Sequence, residues 1–393
     1  MIKVCLDVFS PLPVPAVRGG AVETLYEILM EENDKYGKLD LIIVSNYDKE
    51  AQRLSQKYKN SRVIYVKKHD FTKRIYNRII CLISKCVKLK YPLNQYDSMK
   101  ENMALYQAHA DYYVTNGCGI NYYPIMKRVG RDHMYYYIHC ESFGNQYSDV
   151  VFGHTISVSN FIRKQYYTTA KSSINDGVVV LNCTDENQFQ QRISENQKLD
   201  LRMKIGIQKE DFVVLYSGRI AENKGVHVLI EAMKYFDNNI KLLICGGVSS
   251  GLQLQDAYLK KIRESISGKN NIIYIGYVPH EEMYQYSQIA DIQVVPSLCE
   301  EAAGLVTIEA MYSGLPLIIT RSGGMPEYVD DQCAIILERT SNLCEEIASS
   351  ISKLKQDVSL RESMSQAAMF RARKYTRKDY YDDFVACFIN HQL

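Results

Sequence analysis

The chain of 393 residues has no tryptophan, no Cys-x-x-Cys pair, no Asp-x-Asp triplet and no unbroken apolar run of membrane-spanning length. Most of these absences narrow what it can be. A transmembrane helix needs about 18 or more consecutive apolar residues, so none is expected. Eleven cysteines, odd in number and scattered, with Cys5 and Cys245 inside strand-like runs, read as reduced core thiols of a cytoplasmic protein rather than as a disulfide frame or a zinc site. Met1 leads directly into the strand-like IKVCLDVF, so no secretory leader is expected. A formal net charge of +2 excludes nucleic-acid binding through global charge and leaves room only for a local basic patch. The missing tryptophan, beside abundant tyrosine, points to no mechanism.

What the chain does have is alternation. Short apolar runs follow one another with helix-period stretches between them, the pattern of a parallel α/β sheet. The first half offers IKVCLDVF, LDLIIVS, RVIYV, DYYVTN, HMYYYIH, TISVS and GVVVL as strands; the second offers DFVVLYSGR, IKLLICGG, NIIYIGYV, DIQVVPS, LPLIIT and CAIIL. Between the two series lies the polar NCTDENQFQQRISENQKLD, which places a linker around residues 182–200. Two Rossmann-like domains of nearly two hundred residues each follow, 1–185 and 186–374. Residues 375–393 form a last segment, in which Thr376 and Asp379 resemble a capping box and Tyr380, Tyr381, Phe384, Val385 and Phe388 make one apolar stripe that must dock. In such sheets ligands bind beyond the carboxyl ends of the strands.

Three loops carry chemistry. After the first strand, PLPVPAVRGGAVETLYEIL places Gly19 and Gly20 before a helix that starts near Ala21; exposed N–H groups there suit an anion, and a plain strand-to-helix turn has the same residues. In YSGRIAENKGVHVLIEAM, Arg219 and Lys224 flank Gly218 and Gly225 at a strand end, where two fixed cations can offset the charge of a departing diphosphate. The third stretch, EEAAGLVTIEAMYSGLPLIITRSGGMPEYV, puts Glu301 before a helix that begins at about Leu305 and Glu309 one turn inside it. Carboxylates accept paired sugar hydroxyls, and helix-start N–H groups meet sugar or phosphate oxygens. Glu301 could also serve the helix dipole alone.

GRIAENKG, CGG, IGYV and PSLCEEAAGLVTIEAMYSGLPLIITRSGGMPEYV, in that order, resemble the carboxyl-terminal domain of retaining glycosyltransferases of family 4, which have the GT-B fold. Glu301 and Glu309 are spaced as the two acids of that family's E-x7-E motif. The amino-terminal half resembles the family more loosely, through Gly19-Gly20, YIHC and SVSNFIRKQY. The resemblance implies that Arg219 and Lys224 hold the donor's diphosphate, that Glu309 binds the ribose hydroxyls and that Glu301 contacts the transferred sugar. It further implies that Gly304, Leu305 and Val306 offer N–H groups, that Gly276, Tyr277 and Val278 border the base and that Gly20 approaches the phosphates from the opposite domain. His139, at the end of MYYYIH, would contact the donor sugar near the reacting carbon. The closing helix would cross back onto the amino-terminal domain. Two departures stand out: Ala303 replaces an aromatic residue frequent before Gly-Leu, and Leu181-Asn182-Cys183 replaces Pro-Asn-Gly.

The implied reaction is sugar transfer from a nucleoside diphosphate donor, a UDP-sugar first, to a saccharide or lipid-linked hydroxyl with retained anomeric configuration, in bacterial surface polysaccharide or glycolipid assembly. With no Asp-x-Asp and two protein cations, no metal and no other cofactor is expected. Lys67 to Lys90 combines many cations with Ile75, Ile79, Ile80, Leu82, Ile83 and Val87. It reads either as a helix lying on the anionic inner face of the membrane or as a helix covering the first sheet with a solvated basic edge. Rival functions are a nucleotide-sugar epimerase of the same fold and a non-catalytic sugar-binding protein.

Overall fold

Short apolar runs bounded by turn residues can bury both faces only in a parallel sheet flanked by helices. The computed structural model contains two such sheets. It describes residues 1–67, 72–86, 96–117, 119–248 and 253–389. Two compact units divide the chain: Met1–Asn182 with Arg377–Leu393, and Cys183–Thr376.

The first unit holds β1 (Ile2–Asp7), β2 (Leu39–Asn46), β3 (Ser61–Val66), β4 (Tyr112–Thr115), β5 (Met134–Ile138), β6 (His154–Ser157) and β7 (Gly177–Val179). They form one sheet in the order β3-β2-β1-β4-β5-β6-β7. All its pairings are parallel, with β1 in register with β2 from Ile2↔Leu39 to Asp7↔Val44 and with β4 from Val4↔Tyr112 to Asp7↔Thr115. The strand order reverses between β1 and β4. That gap is where a doubly wound sheet opens a crevice at its carboxyl edge.

The helix Arg377–Ile389 belongs to this unit and buries Tyr380, Tyr381, Phe384, Val385 and Phe388. Its stripe meets the aromatic face of the sheet. The Phe388 ring lies 5.1 Å from that of Tyr135, and the Tyr137 hydroxyl donates to that of Tyr380 at 3.2 Å. On the other side Tyr381 donates to Asn33 Oδ1 at 2.6 Å, and Arg377 pairs with Glu32 at 3.0 Å. Both partners sit on the helix Ala21–Tyr36, so one segment clamps helix and sheet together.

The second unit holds β8 (Phe212–Ser217), β9 (Ile240–Cys245), β10 (Ile272–Gly276), β11 (Ile292–Val295), β12 (Leu317–Thr320) and β13 (Ala334–Leu337), in the order β10-β9-β8-β11-β12-β13. Val214, Leu242, Ile244, Ile292 and Ile318 are buried at its centre. Here the order reverses between β8 and β11. The polar stretch expected to be a linker is not extended: the chain leaves the first unit at Asn182, and the helices Glu186–Phe189 and Glu195–Lys204 occupy it. Capping rather than apolar periodicity starts the second helix, since Gln197 N–H donates to Ser194 Oγ at 3.3 Å and Ser194 N–H to Gln197 Oε1 at 2.9 Å.

The helix Lys73–Cys86 carries part of the basic stretch. Ile75, Ile79, Leu82 and Ile83 are all exposed there, while Lys73 pairs with Asp97 at 2.6 Å. Residues 68–71 and 87–90, Val87 among them, lie outside the described residues. No described helix is long and apolar enough to cross a membrane. Cys5, Cys183, Cys245, Cys333, Cys344 and Cys387 are buried and in no disulfide, whereas Cys81 and Cys140 are exposed rather than core thiols.

Candidate functional site

Arg219, Lys224, Glu301 and Glu309 lie on the segments that follow β8 and β11, where the strand order of the second unit reverses, while Gly276, Tyr277 and Val278 follow the edge strand β10. β8 ends at Ser217, Gly218 turns the chain at φ 146°, and Arg219 follows, exposed. A short 3-10 turn, Glu222–Lys224, then runs into Gly225 at φ 71°. A Cβ on Gly225 would lie 1.9 Å from the Pro296 carbonyl oxygen, and Leu298 N–H donates to Asn223 O at 2.9 Å. The loops after β8 and β11 are thus fastened backbone to backbone, which only glycine at 225 permits.

This contact brings Lys224 to Glu301. The ammonium donates to Glu301 Oε1 at 2.6 Å, with the side chains 19% and 15% exposed, and Ser297 Oγ donates to the same oxygen. Glu301 is also held by its backbone: Gly324 N–H donates to its carbonyl at 2.7 Å, and a Cβ on Gly323 would strike that carbonyl at 2.3 Å. The neighbouring Glu300 was not among the expected residues, yet it fixes the same loop. It accepts from Gly323 N–H and from Arg339, each at 2.5 Å, and Arg339 donates further to Leu298 O at 3.1 Å.

The helix Leu305–Ser313 begins at Gly304, which stands at φ 78° with no side-chain cap and no acid in the first turn. The N–H groups of Leu305 and Val306 have no carbonyl one turn back to receive them, so this helix start can meet an oxygen-rich ligand. Glu309 lies one turn in, its side chain 12% exposed, with one carboxylate oxygen 3.0 Å from His280 Nε2. Burial lowers the His280 pKa, but the hydrogen bond and charge of Glu309 outweigh it and raise the pKa overall. Gly276 ends β10 at φ 90°, its carbonyl accepting from Gly246 N–H at 2.7 Å; Tyr277 beyond it is 75% exposed and Val278 is buried. The structure therefore joins Lys224 to Glu301 and sets Glu309 against the turn that follows Tyr277 and Val278. Arg219 makes no ion pair among the described residues.

In the first unit, Gly19 and Gly20 stand at φ 71° and 109°, directly before the helix Ala21–Tyr36, which lacks a side-chain cap. Glu23, 3% exposed, occupies the first turn, and a Cβ on Gly20 would meet its carboxylate at 2.0 Å. An anion at this helix start would meet that negative charge. The same helix presents Tyr26 to His139, whose Nε2 lies 3.5 Å from the tyrosine hydroxyl. His139 follows β5 half-buried, its Nδ1 is buried without a hydrogen-bond partner, and burial pushes its pKa down to about 3. The ring is neutral near pH 7, so one nitrogen donates and the other accepts. Ala303 is buried. Among the described residues no three His, Cys, Asp or Glu side chains group so as to hold a metal ion.

Residues 197–370 match the family Glycosyl transferases group 1, a stretch confined to the second unit. An uncharacterized glycosyltransferase of Methanocaldococcus jannaschii is 26% identical over 231 residues, 58% of this chain and 55% of that protein. The lipopolysaccharide 1,2-N-acetylglucosaminetransferase of Salmonella typhimurium is 34% identical over 142 residues, 35% of this chain and 37% of the other. The chain thus spans about half the length, or less, of these curated relatives. Among solved structures, Anabaena HepE in complex with UDP and glucose is 17% identical with a TM-score of 0.74, each chain covered in full. A glycosyltransferase from Rickettsia africae is 15% identical with a TM-score of 0.76, covering 99% of this chain and 98% of that one. These likenesses show the fold: two Rossmann-like domains, the GT-B class.

Proposed function

We propose that the protein is a retaining glycosyltransferase of family 4 that moves a sugar from a nucleoside diphosphate to a hydroxyl of a saccharide or lipid-linked acceptor. The observation that carries the reading is the constellation at the β8/β11 switch point: Lys224 on Glu301, Arg219 on the same loop as Lys224, and Glu309 one turn into an uncapped helix. The chemistry of these groups suits a nucleoside diphosphate sugar. Glu309 receives the ribose hydroxyls; Arg219, Lys224 and the N–H groups of Leu305 and Val306 take the diphosphate; Glu301 takes the transferred sugar. The family match over 197–370, the Salmonella relative's acetylglucosaminyl transfer and the UDP bound by HepE support this assignment and put a UDP-sugar first.

As the bond between the anomeric carbon and the diphosphate breaks, positive charge grows on the sugar ring and negative charge on the leaving group. Arg219 and Lys224 offset the second, which makes a metal unnecessary to the reading. The acceptor oxygen bonds to the anomeric carbon on the face the phosphate leaves, and its proton passes to the departing phosphate oxygen. No protein nucleophile is required. The setting we propose is assembly of a bacterial surface polysaccharide or glycolipid at the inner face of the membrane. There the exposed Ile75, Ile79, Leu82 and Ile83 and the cations around them would rest on anionic lipid.

Two experiments test this. Thermal melting with the diphosphates of uridine, guanosine, adenosine and thymidine should single out one base, a ligand at a hundred times its Kd adding about 2.7 kcal/mol, and Glu309→Ala should abolish the gain. No gain with any of them would sink the donor assignment. Incubating the donor sugar alone separates the epimerase reading, because only an epimerase converts it without an acceptor.

A further inference from the structure

Glu309 owes its pose to a residue outside the motif that contains it. His280 opens the 3-10 turn His280–Glu282, two residues after Val278, and its Nε2 lies 3.0 Å from one Glu309 oxygen. The histidine is itself braced. Its ring meets the buried Phe189 edge-on at 5.5 Å between centroids, and its carbonyl accepts from Gln188 Nε2. Phe189 and Gln188 belong to the helix Glu186–Phe189, which packs on the helix bearing Glu309. Only His280 reaches the carboxylate oxygen, and the helix Glu186–Phe189 steadies it there. Nothing in that network touches the second oxygen.

A carboxylate has about four acceptor positions, and one hydrogen bond from an imidazole leaves three. A glutamate ordered only when ligand arrives loses side-chain freedom at that moment, which weakens binding. From these observations we propose that His280 is a positioning residue for the donor: it holds Glu309 by one oxygen so that the ribose diol finds the carboxylate already in place. The inference rests on the transferase reading above and adds to it the residue that orders the ribose site. The hydrogen bond persists whichever protonation state the ring adopts, provided Nε2 carries the proton.

The experiment is calorimetric titration of whichever nucleoside diphosphate stabilises the wild-type protein, in its ribo form and its 2′,3′-dideoxy form. The proteins are wild type, His280→Ala, His280→Gln, Glu309→Ala and the His280→Ala, Glu309→Ala double variant. His280→Ala should weaken the ribonucleotide by roughly three- to tenfold. It should leave the dideoxynucleotide unchanged, since that ligand makes no demand on Glu309. His280→Gln, whose amide can place a donor near the position of Nε2, should restore most of the loss. In the Glu309→Ala background, removing His280 should change nothing further. Equal weakening of both nucleotides, or of neither, would overturn the positioning role while leaving the transferase reading intact. If no ribonucleoside diphosphate binds wild type, that reading fails and takes this inference with it.

Discussion

Replacing Glu301 by Gln should tighten nucleotide binding while it lowers turnover. In the unliganded protein the Lys224 ammonium is already neutralised, 2.6 Å from Glu301 Oε1, with both side chains less than a fifth exposed. An incoming diphosphate must share that cation and settle near a fixed negative charge. Coulomb's law at an effective dielectric of about 20 gives about 4 kcal/mol for unit charges 4 Å apart. Sharing of the ammonium and solvent screening reduce the net gain from removing Glu301's charge to about 1–2 kcal/mol, which is about five- to thirtyfold in Kd. Gln keeps the shape and an oxygen for Ser297, so the loop stays in place. The assay is calorimetric titration of the matching nucleoside diphosphate into wild type, Glu301→Gln, Lys224→Met and the double variant, with turnover measured on the same samples. Lys224→Met should weaken binding, and in its background Glu301→Gln should gain less than it does alone. A Glu301→Gln protein that binds the diphosphate no better than wild type would refute the idea that the two ligands of Lys224 compete.

Four other outcomes are expected. His139, held near pKa 3 by burial against an ordinary 6.5, should stay neutral by NMR down to about pH 4. Its contribution to stability is complete above pH 6.5 and falls away as the pH drops toward 3; a ring that titrates near 6 would contradict the buried geometry. His280 has the opposite sign. Its pKa is raised by Glu309, so its contribution is present below the ordinary value and lost as pH rises through the raised one; Glu309→Gln should shift its NMR titration downward. Gly225→Ala, which sets a Cβ 1.9 Å from Pro296 O at φ 71°, should destabilise the second unit by more than 1 kcal/mol and weaken nucleotide binding, as melting and titration would show. Phe384→Ala, at a fully buried position, should lower the stability of the first unit by about 3–5 kcal/mol in denaturant melts.

All thirteen strands were legible because a strand buried on both faces must be a short apolar run, and the chain contains such runs at the right spacing. Nine of the carboxyl ends were read one or two residues too long, that of β2 one residue short, and those of β3, β12 and β13 correctly. Val8, Gly218 and Tyr277 continue the apolar or glycine pattern, but the backbone has already turned there toward the ligand edge. The helix Glu195–Lys204 was missed because it buries none of its side chains, so no apolar period announces it; the Ser194/Gln197 box was the available signal. Glu301 and Glu309 were found as a pair, whereas the contact of Lys224 with Glu301, 77 residues apart, depends on β8 lying beside β11. Sequence spacing carries no such information. Arg339, Glu300 and His280 escaped for the same reason, since each acts through a neighbour supplied by a different element.

The helix Arg377–Ile389 completes the first unit although the whole second unit, Cys183–Thr376, precedes it in the chain. The second unit is in effect an insertion into the first. A ribosome making the protein releases seven strands whose Tyr112, Tyr135 and Tyr137 meet Phe384 and Phe388 only once the last helix emerges. Domains generally fold as units in order of synthesis. Here the order inverts: the unit begun second can finish first, and the unit begun first must wait about two hundred residues with these tyrosines lacking their phenylalanine partners, a natural point for chaperone capture.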